Sequence, residues 1–358
     1  MKQIPMKQVP VIIFGAGGVG QALLRQIVDG RATAAQRAYC HFNIIAVADS
    51  RTWQWQPQGL ADDQLRAIVA AKQAGKPVGE TRPSLLEILA IAQQAHIKNL
   101  ILVDVTAESG MEPALDQAVA NGWSVAMANK KALAGPWESA KNYFNQPRIR
   151  HESTVGGGQP VIATLRTLLD THDPIYEIEG QLSGTLGFIC QQLDQDVPFS
   201  QTIAAAKANG FTEPDPREDL GGQDVMRKVM ILGRMAGWPL SATDIAVESL
   251  YPAEMAGLNV AEFMSQASQL DEAMAQRVLK ARQKGQVLRF VAQVNENGGS
   301  VGLQAIPADN PLANMKYISF RTGRYADEPL LIGGKGAGVE MTAAGVLGDM
   351  LALVRESN

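Results

Sequence analysis

An aspartate and a lysine four residues apart, Asp224 and Lys228, are a pairing in this sequence suited to acid/base chemistry. Residues at this spacing share one face of a helix. A helix is predicted here because apolar residues recur at steps of three and four, at Val225, Val229, Leu232 and Ala236. A surface ion pair is the ordinary explanation of such spacing. A lysine near the positive end of a helix dipole carries an electrostatic cost, however, and such costs gather at functional sites.

An acidic stretch at residues 213–219 precedes this helix and contains Glu213, Pro214 and Pro216. Prolines remove backbone donors and push the preceding residue out of the helical region, so we predict an irregular acidic loop. Gly221 and Gly222 then lead the chain into the helix.

A glycine turn lies near the start of the chain, between an apolar run at Val9–Phe14 and a helical pattern after residue 20. The order strand, G-x-G-x-x-G, helix is typical of dinucleotide binding. Gly15 would form the tight turn, Gly17 would admit a pyrophosphate, and Gly20 would allow close helix packing. The alternative is a glycine turn that binds nothing.

A second predicted strand, residues 42–48, ends at Asp49 and Arg51, where the first β-α-β unit meets the adenosine ribose. An acid there favours the free 2′-hydroxyl of NAD, and an arginine favours the 2′-phosphate of NADP. Both residue types are present, so the cofactor choice stays open. We lean to NADP(H), since Arg51 can reach a 2′-phosphate.

Two further buried strands are predicted at residues 99–105 and 123–128. The first ends at Thr106 and Ala107, which we expect to face the nicotinamide half of the cofactor. The second ends at Asn129 and Lys130, and ligands of open α/β sheets collect at such ends. Position alone leaves Lys130 either a functional residue or a solvated one.

The segment from His151 is predicted as a polar strand, followed by glycines at 156–158 and a helix entered through Pro160. Exposed glycine backbone can bind an anion through N–H groups or a hard cation through carbonyls, and Glu152 favours the cation. Elsewhere we predict a loop around Trp53 and Trp55, an exposed antiparallel strand at 176–182, a hairpin at 286–306 and a long apolar C-terminal helix.

Composition restricts the possible classes of protein. The 358 residues are 46% hydrophobic and 19% charged, which is enough for two globular domains. The net charge of −4, without a block of basic residues, argues against nucleic acid or an anionic membrane and favours a small-molecule partner. The absence of a membrane-length apolar run and of a signal-peptide core predicts a cytoplasmic protein. Cys40 and Cys190 are expected to be buried thiols.

Several segments together resemble the homoserine dehydrogenase family over nearly the whole chain. They are GAGGVG, NKKAL, HESTVGGGQP, GFTEPDPREDLGGQDVMRKVMILGRMAG and GKGAGVEMTAAGVLGDML. The resemblance implies NAD(P)H-dependent reversible reduction of L-aspartate 4-semialdehyde to L-homoserine, in threonine and methionine biosynthesis. It also implies a homodimer, and a short form without a regulatory domain or a fused aspartate kinase.

The implied fold class is α/β, with a Rossmann-type doubly wound nucleotide-binding domain and a mixed α+β substrate and dimerisation domain. We place the NAD(P)-binding domain at residues 1–150 and the substrate-binding, catalytic and dimerisation domain at 151–330. A C-terminal helix at 331–358 is expected to return to the nucleotide-binding domain.

The resemblance also implies roles for individual residues. Lys228 would be the acid/base lysine, with Asp224 as its partner and as a substrate ligand, and Glu213 would hold the substrate ammonium group. Lys130 would be a second active-site lysine near cofactor and substrate. The implied cofactor contacts are Gly15, Gly17, Gly18, Val19, Gly20, Asp49, Arg51, Thr106, Ala107, Lys130 and Gly338.

A structural sodium ion is the last implied ligand, held by Glu152 and the carbonyls of Val155, Gly157 and Gln159. Gly157 and Gln159 occupy positions that vary among relatives, but contacts made by backbone hardly depend on the side chain.

Two other classes of function fit the sequence less well. An acylating semialdehyde dehydrogenase would need a reactive cysteine, and the apolar neighbours of Cys190 argue against one. A nucleotide-sensing regulator without turnover would have no need for Glu213, Asp224, Lys228 and Lys130 together.

Overall fold

The computed structural model describes residues 5–356, which form two compact units. The first consists of Met1–Ile162 and Ala337–Asn358, and the second of Ala163–Gly336. The functional domain bounds expected near 150 and 330 stay a prediction, because compactness does not test which residues serve which function.

The first unit is built on a seven-stranded sheet. Its strands are β1 (Lys7–Phe14), β2 (Cys40–Ala48), β3 (Thr52–Trp55), β4 (Glu80–Thr81), β5 (Ile101–Asp104), β6 (Ser124–Met127) and β7 (Ile149–Arg150). Its helices up to residue 150 are α1 (Gly18–Asp29), α2 (Arg31–Ala38), α3 (Asp62–Gln73), α4 (Leu85–Gln94), α5 (Glu112–Ala120), α6 (Lys131–Ala134) and α7 (Trp137–Phe144).

The strand order is β4-β3-β2-β1-β5-β6-β7, and the five strands from β2 to β7 in that order run parallel. Val11, Ile12 and Ile13 of β1 are all fully buried, as expected for a parallel strand covered on both faces. The chain runs outward from β1 to β2 and returns to the other side of β1 at β5. This reversal is that of a doubly wound Rossmann-type sheet, so the predicted fold class is confirmed.

The prediction of a loop around Trp53 and Trp55 is wrong, since these residues lie in β3. This strand pairs antiparallel with the end of β2, and the two indole rings stack 5.9 Å apart. Aromatic side chains favour a half-buried pleated surface, and the pairing partner lies in a neighbouring strand. Trp53 is buried in this arrangement.

The second unit is built on a six-stranded sheet of order β13-β12-β8-β10-β11-β9. Its strands are β8 (Ile175–Gly180), β9 (Ile245–Val247), β10 (Gln286–Asn295), β11 (Gly298–Pro307), β12 (Tyr317–Thr322) and β13 (Leu330–Gly333). The helices of this part of the chain are α8 (Val161–Asp170), α9 (Gly184–Leu193), α10 (Phe199–Ala208), α11 (Arg217–Leu220), α12 (Gln223–Met235), α13 (Val260–Gln266) and α14 (Asp271–Arg282). The predicted hairpin is β10 and β11.

The antiparallel strand predicted at 176–182 is confirmed as β8, which pairs with β10 and β12, but of its residues only Tyr176 is exposed as expected. Ile178 and Gly180 are buried there. Two local predictions are corrected as well. Residues Glu152–Thr154 form a 3-10 helix instead of a strand, and the acidic stretch ends in the short helix α11. Pro216 is the N-cap of α11, where a missing N–H costs no hydrogen bond.

The last helix, α15 (Val339–Glu356), belongs to the first unit. Ala343, Val346 and Met350 are fully buried in the hydrophobic core that α1 also lines. At its start, Glu340 accepts hydrogen bonds from Arg25 and Gln26 of α1. Within residues 5–356, no helix combines the length and apolarity that crossing a membrane would require.

Candidate active site

The glycine turn between β1 and α1 has the geometry of a phosphate-binding loop. Gly15 has a φ of +107°, and a Cβ there would lie 2.7 Å from the Val105 carbonyl oxygen. A Cβ at Gly20 would lie 1.9 Å from the Gly15 carbonyl oxygen, whereas one at Gly17 would meet nothing within 4 Å. Only glycine fits the two close approaches, and the side of Gly17 is open to a ligand.

This turn lies at the point where the strand order reverses. The Gly15 amide donates to the Ala48 carbonyl, and the Val105 amide donates to the Phe14 carbonyl, so the ends of β1, β2 and β5 meet. A Cβ at Gly18 would lie 3.3 Å from the Val339 side chain, which brings the segment after Gly338 beside the turn. Ligands of open α/β sheets bind at this kind of crevice.

Asp49, at the end of β2, is held by four donors. One carboxylate oxygen accepts from the Arg51 amide, the Thr52 amide and the Thr52 hydroxyl, and the other lies 2.8 Å from the Lys72 ammonium. Burial alone would raise the pKa of Asp49, but the hydrogen bonds from Lys72, Arg51 and Thr52 outweigh it and lower the pKa to about 2. The Arg51 side chain is exposed.

The loops after β5 and β6 are tied together by Thr106 and Asn129, which the sequence placed at the strand ends, and by Asp104, which sequence reasoning did not single out. Thr106 donates its amide and hydroxyl to Asp104, and Asn129 donates to Asp104 as well. Lys130 is half-buried at the start of α6, and Ala107 is exposed. An acid at the end of a strand was the available signal for Asp104, but its partner lies 25 residues away.

The glycine segment predicted to bind sodium is compact. Glu152 is buried, and one of its carboxylate oxygens accepts from the Ile162 amide at 2.7 Å. The Gly157 carbonyl accepts from the Ser153 hydroxyl, and the Gln159 carbonyl accepts from the Val161 amide. These oxygens suit a hard cation by type. Among residues 5–356 there is no cluster of three or more acid, histidine or cysteine side chains that could hold a metal.

The pair Asp224 and Lys228 lies on α12 of the second unit, as the helical spacing predicted. The Lys228 ammonium lies 2.8 Å from the Asp224 carboxylate and donates to the Leu182 carbonyl at 2.9 Å. The lysine side chain is 19% exposed and that of the aspartate 47%, so the ammonium is the more protected partner.

Asp219 is an acid near this pair that sequence reasoning missed. Its carboxylate accepts from the Glu213 amide at 2.8 Å, which fixes the backbone of that residue. Burial raises the pKa of Asp219 most, hydrogen bonds from Glu213 and Thr185 lower it, and the charge of Asp224 raises it further. The available signal was its place in the same acidic stretch.

Arg217 braces the acidic stretch. Its guanidinium pairs with Asp215 at 2.6 Å and donates to the carbonyls of Met255, Ala256 and Leu258. The guanidinium carbon also lies 5.4 Å from the ring centre of Phe263. The stretch that carries Glu213 is therefore anchored, because three carbonyls and one aromatic ring outside the stretch hold its arginine in place.

Both cysteines are buried, as predicted. Burial raises the pKa of the Cys190 thiol to about 12, despite the lowering effect of Arg289. Such a thiol is not a nucleophile near neutral pH, which removes the support for an acylating dehydrogenase.

A Rossmann-type sheet with a glycine turn at its switch point, in a chain that also carries a lysine and acid pair, defines the class of NAD(P)-dependent oxidoreductases. The family model for homoserine dehydrogenase matches residues 160–351, and that for the homoserine dehydrogenase NAD-binding domain matches residues 15–145. The chain belongs to the homoserine dehydrogenase family.

Two curated relatives illustrate the similarity. The homoserine dehydrogenase of Saccharomyces cerevisiae is 35% identical over 98% of this chain and 99% of its own length. A chloroplastic bifunctional aspartokinase/homoserine dehydrogenase of Zea mays is 36% identical over 95% of this chain. The chain spans only 38% of the length of that bifunctional protein.

Solved structures agree in fold. A Candida auris protein described as of unknown function has a TM-score of 0.86 and 33% identity, over 98% of this chain and 99% of that one. A hyperthermophilic archaeal homoserine dehydrogenase mutant, solved in complex with NADPH, has a TM-score of 0.74 and 25% identity over 98% of both chains.

Proposed function

We propose that this protein reduces L-aspartate 4-semialdehyde to L-homoserine reversibly with NAD(P)H. The observation that carries the proposal is the Lys228 ammonium, which is mostly protected from solvent and oriented by the Asp224 carboxylate and the Leu182 carbonyl. An ammonium held in a fixed orientation can donate a proton to a substrate oxygen. Reduction of a carbonyl needs such a donor, because hydride addition leaves an oxyanion.

The chemistry follows from the charge that the reaction creates. A bound reduced nicotinamide supplies the hydride. As the aldehyde carbon accepts it, the carbonyl π electrons move to oxygen, and the Lys228 ammonium stabilises that oxyanion and then protonates it to the alcohol. In the reverse direction neutral Lys228 takes the alcohol proton. Lys130 would polarise the carbonyl or orient the substrate.

Glu213 is proposed to bind the substrate ammonium group, and Asp224 to contribute to substrate binding. The support is that the Glu213 backbone is fixed by Asp219, within a stretch that Arg217 anchors. A carboxylate on a rigid loop can hold a cationic group without losing much conformational entropy on binding.

The cofactor is proposed to be NADP(H), bound by the glycine turn, Arg51, Thr106, Ala107, Lys130 and Gly338. The support for this preference is that the Asp49 carboxylate already accepts from Lys72, so it is less available to a ribose 2′-hydroxyl. Arg51 is exposed and is available to a 2′-phosphate.

A sodium ion is proposed at Glu152 and the carbonyls of Val155, Gly157 and Gln159. Its role would be to hold the turn that leads into α8, where the positive φ angles of Gly156 and Gly157 bend the backbone. Homodimer formation, a cytoplasmic location and a place in threonine and methionine biosynthesis belong to the same proposal. Light scattering of the purified protein tests the dimer.

The decisive experiment follows NADPH absorbance on addition of aspartate 4-semialdehyde, with Lys228→Ala and succinate semialdehyde as controls. We expect oxidation of NADPH with the first substrate, formation of homoserine, and loss of both in the variant. A nucleotide-sensing regulator would bind NADPH without turnover, and that result would refute the proposal. Succinate semialdehyde lacks the amino group, so it should react much more slowly if Glu213 binds that group.

A further inference from the structure

The last residue of β5, Asp104, and a residue just beyond the end of the neighbouring parallel strand β6, Asn129, are joined by a side-chain hydrogen bond. Asp104 is fully buried, and its register partner in β6 is Met127. The chain passes two residues beyond Met127 to Asn129, whose side-chain nitrogen donates to Asp104 at 3.1 Å. The link joins the exits of two strands 25 residues apart in sequence.

Asn129 makes further contacts on both sides of this link. Its side-chain nitrogen also lies 3.1 Å from the Thr106 hydroxyl and 2.9 Å from the Glu108 carbonyl. Its side-chain oxygen accepts from the Lys131 amide at 3.1 Å. One amide side chain therefore fixes the loop after β5 and the backbone immediately after Lys130.

The other side of the link is Asp104. One of its oxygens accepts from the Thr106 amide at 3.0 Å and the Thr106 hydroxyl at 2.7 Å, and the other accepts from Asn129. The side chains that donate to it, Thr106 and Asn129, are both neutral. An acid buried beside neutral donors is costly, and burial raises its pKa to about 6 even though Thr106 and Asn129 lower it. Such costs gather at functional sites.

We infer that Asp104 and Asn129 are positioning residues for the reaction, because together they hold the Thr106–Glu108 loop and the Lys130 turn in one fixed arrangement. The inference rests on the proposed function, in which these two loops face the nicotinamide and the substrate. Neither side chain touches the reacting atoms. Their role is to set where Lys130 and Thr106 stand.

The surroundings favour this role over simple stabilisation. Asn129 is 4% exposed and Asp104 is not exposed at all, so the link is shielded from competing water. Among the described residues, the two side chains bond to each other and to Thr106, Glu108 and Lys131 of the two loops. The charge of Glu112 raises the pKa of Asp104, and the two loops themselves carry the charged residues Glu108, Lys130 and Lys131.

The test starts with Asn129→Ala, with Asn121→Ala as the matched control. Asn121 lies after α5 in the same unit, and its side chain accepts from Gln117 away from both loops. We expect Asn129→Ala to lower kcat by roughly 100-fold, the usual effect of a small misplacement, with KM for NADPH changed by less than about threefold. The control should keep kcat.

A second variant keeps the size of the side chain. It tests the positioning role even if the alanine variant fails to fold. Asn129→Asp places two carboxylates in contact, and such a pair shares one proton as the pH falls. Its kcat should be low at pH 8 and recover toward pH 6. Adding Asp104→Asn restores an amide to carboxylate bond in the opposite direction, which should regain kcat and remove the pH dependence.

The wild-type protein in the same assay separates the two proposals. No turnover by the wild type would refute the proposed reaction. Turnover by the wild type, together with a kcat of Asn129→Ala within threefold of it, would refute the positioning role alone. A double variant whose kcat is no higher than that of Asn129→Asp would also refute the positioning role, because that role depends on the bond between the two side chains and not on either residue type.

Discussion

The Lys72 ammonium lies 2.8 Å from the Asp49 carboxylate, which is the acid expected to read the cofactor ribose. The two residues are 23 positions apart, and the second oxygen of Asp49 is taken by the Arg51 and Thr52 backbone. Both carboxylate oxygens of Asp49 are thus already hydrogen-bonded to groups of the protein. We therefore propose that Arg51, which is exposed, discriminates between NAD and NADP.

Arg51→Ala should raise KM for NADPH more than KM for NADH, because only NADPH carries the 2′-phosphate that the guanidinium would bind. Initial rates with both cofactors on one preparation give the comparison. Arg148→Ala is the control, since it removes an exposed arginine that precedes β7, at the opposite edge of the same sheet. Equal effects of Arg51→Ala on the two cofactors would count against the NADP(H) preference.

Asp49→Asn should destabilise the protein at neutral pH. The folded-state pKa of about 2 lies below the usual 3.8, so the stabilisation is present above pH 3.8 and is lost as the pH falls toward 2. A shift of this size corresponds to about 2 kcal/mol in the free energy of unfolding at pH 7. Urea unfolding at pH 7 and pH 3 should show a larger difference from wild type at pH 7. A pH-independent difference would mean that the ion pair with Lys72 is not the cause.

Lys228→Ala should lower kcat by roughly 100 to 10,000-fold, the range for the loss of a positioned acid, with binding of NADPH largely kept. Steady-state kinetics and a fluorescence titration with NADPH measure the two quantities. Lys280→Ala, which removes an exposed lysine of α14 in the same unit, should change neither. A Lys228→Ala variant that keeps normal turnover would exclude this residue as the proton donor.

Asp224→Asn should lower kcat more than it changes binding of NADPH. The amide keeps the shape of the side chain but removes the charge that holds the Lys228 ammonium at 2.8 Å. Steady-state kinetics and a fluorescence titration with NADPH measure the two quantities. A variant that keeps kcat and raises only KM for aspartate 4-semialdehyde would leave substrate binding as the role of Asp224.

Replacing sodium by choline at the same ionic strength should lower the thermal midpoint of the wild-type protein, because the proposed ion stabilises the turn before α8. The difference should be much smaller in Glu152→Gln, which keeps an acceptor for the Ile162 amide but removes the charge. Thermal scans in the two salts measure both. An identical midpoint for the wild type in sodium and in choline would argue that no cation binds there.

Local sequence determined the glycine turn and the helix that carries Asp224 and Lys228. Gly15 and Gly20 lie within one strand-turn-helix unit. The approach that excludes a Cβ at Gly20 is made inside that unit by the Gly15 carbonyl, whereas the approach at Gly15 comes from Val105 after β5. The pairing of Asp224 with Lys228 follows from helical spacing alone, since residues four apart share a face wherever the helix docks. Short-range geometry of this kind can be read from spacing.

The tertiary structure decided which strands are neighbours, and with them the partners of buried groups. Lys72 reaches Asp49, and Asn129 reaches Asp104, only because distant segments are brought to one edge of the sheet. The strand at Trp53 and the interior position of β8 depended in the same way on pairing with other strands. Hydrogen bonds between strands have no fixed sequence separation, so neither periodicity nor motif spacing could have predicted them.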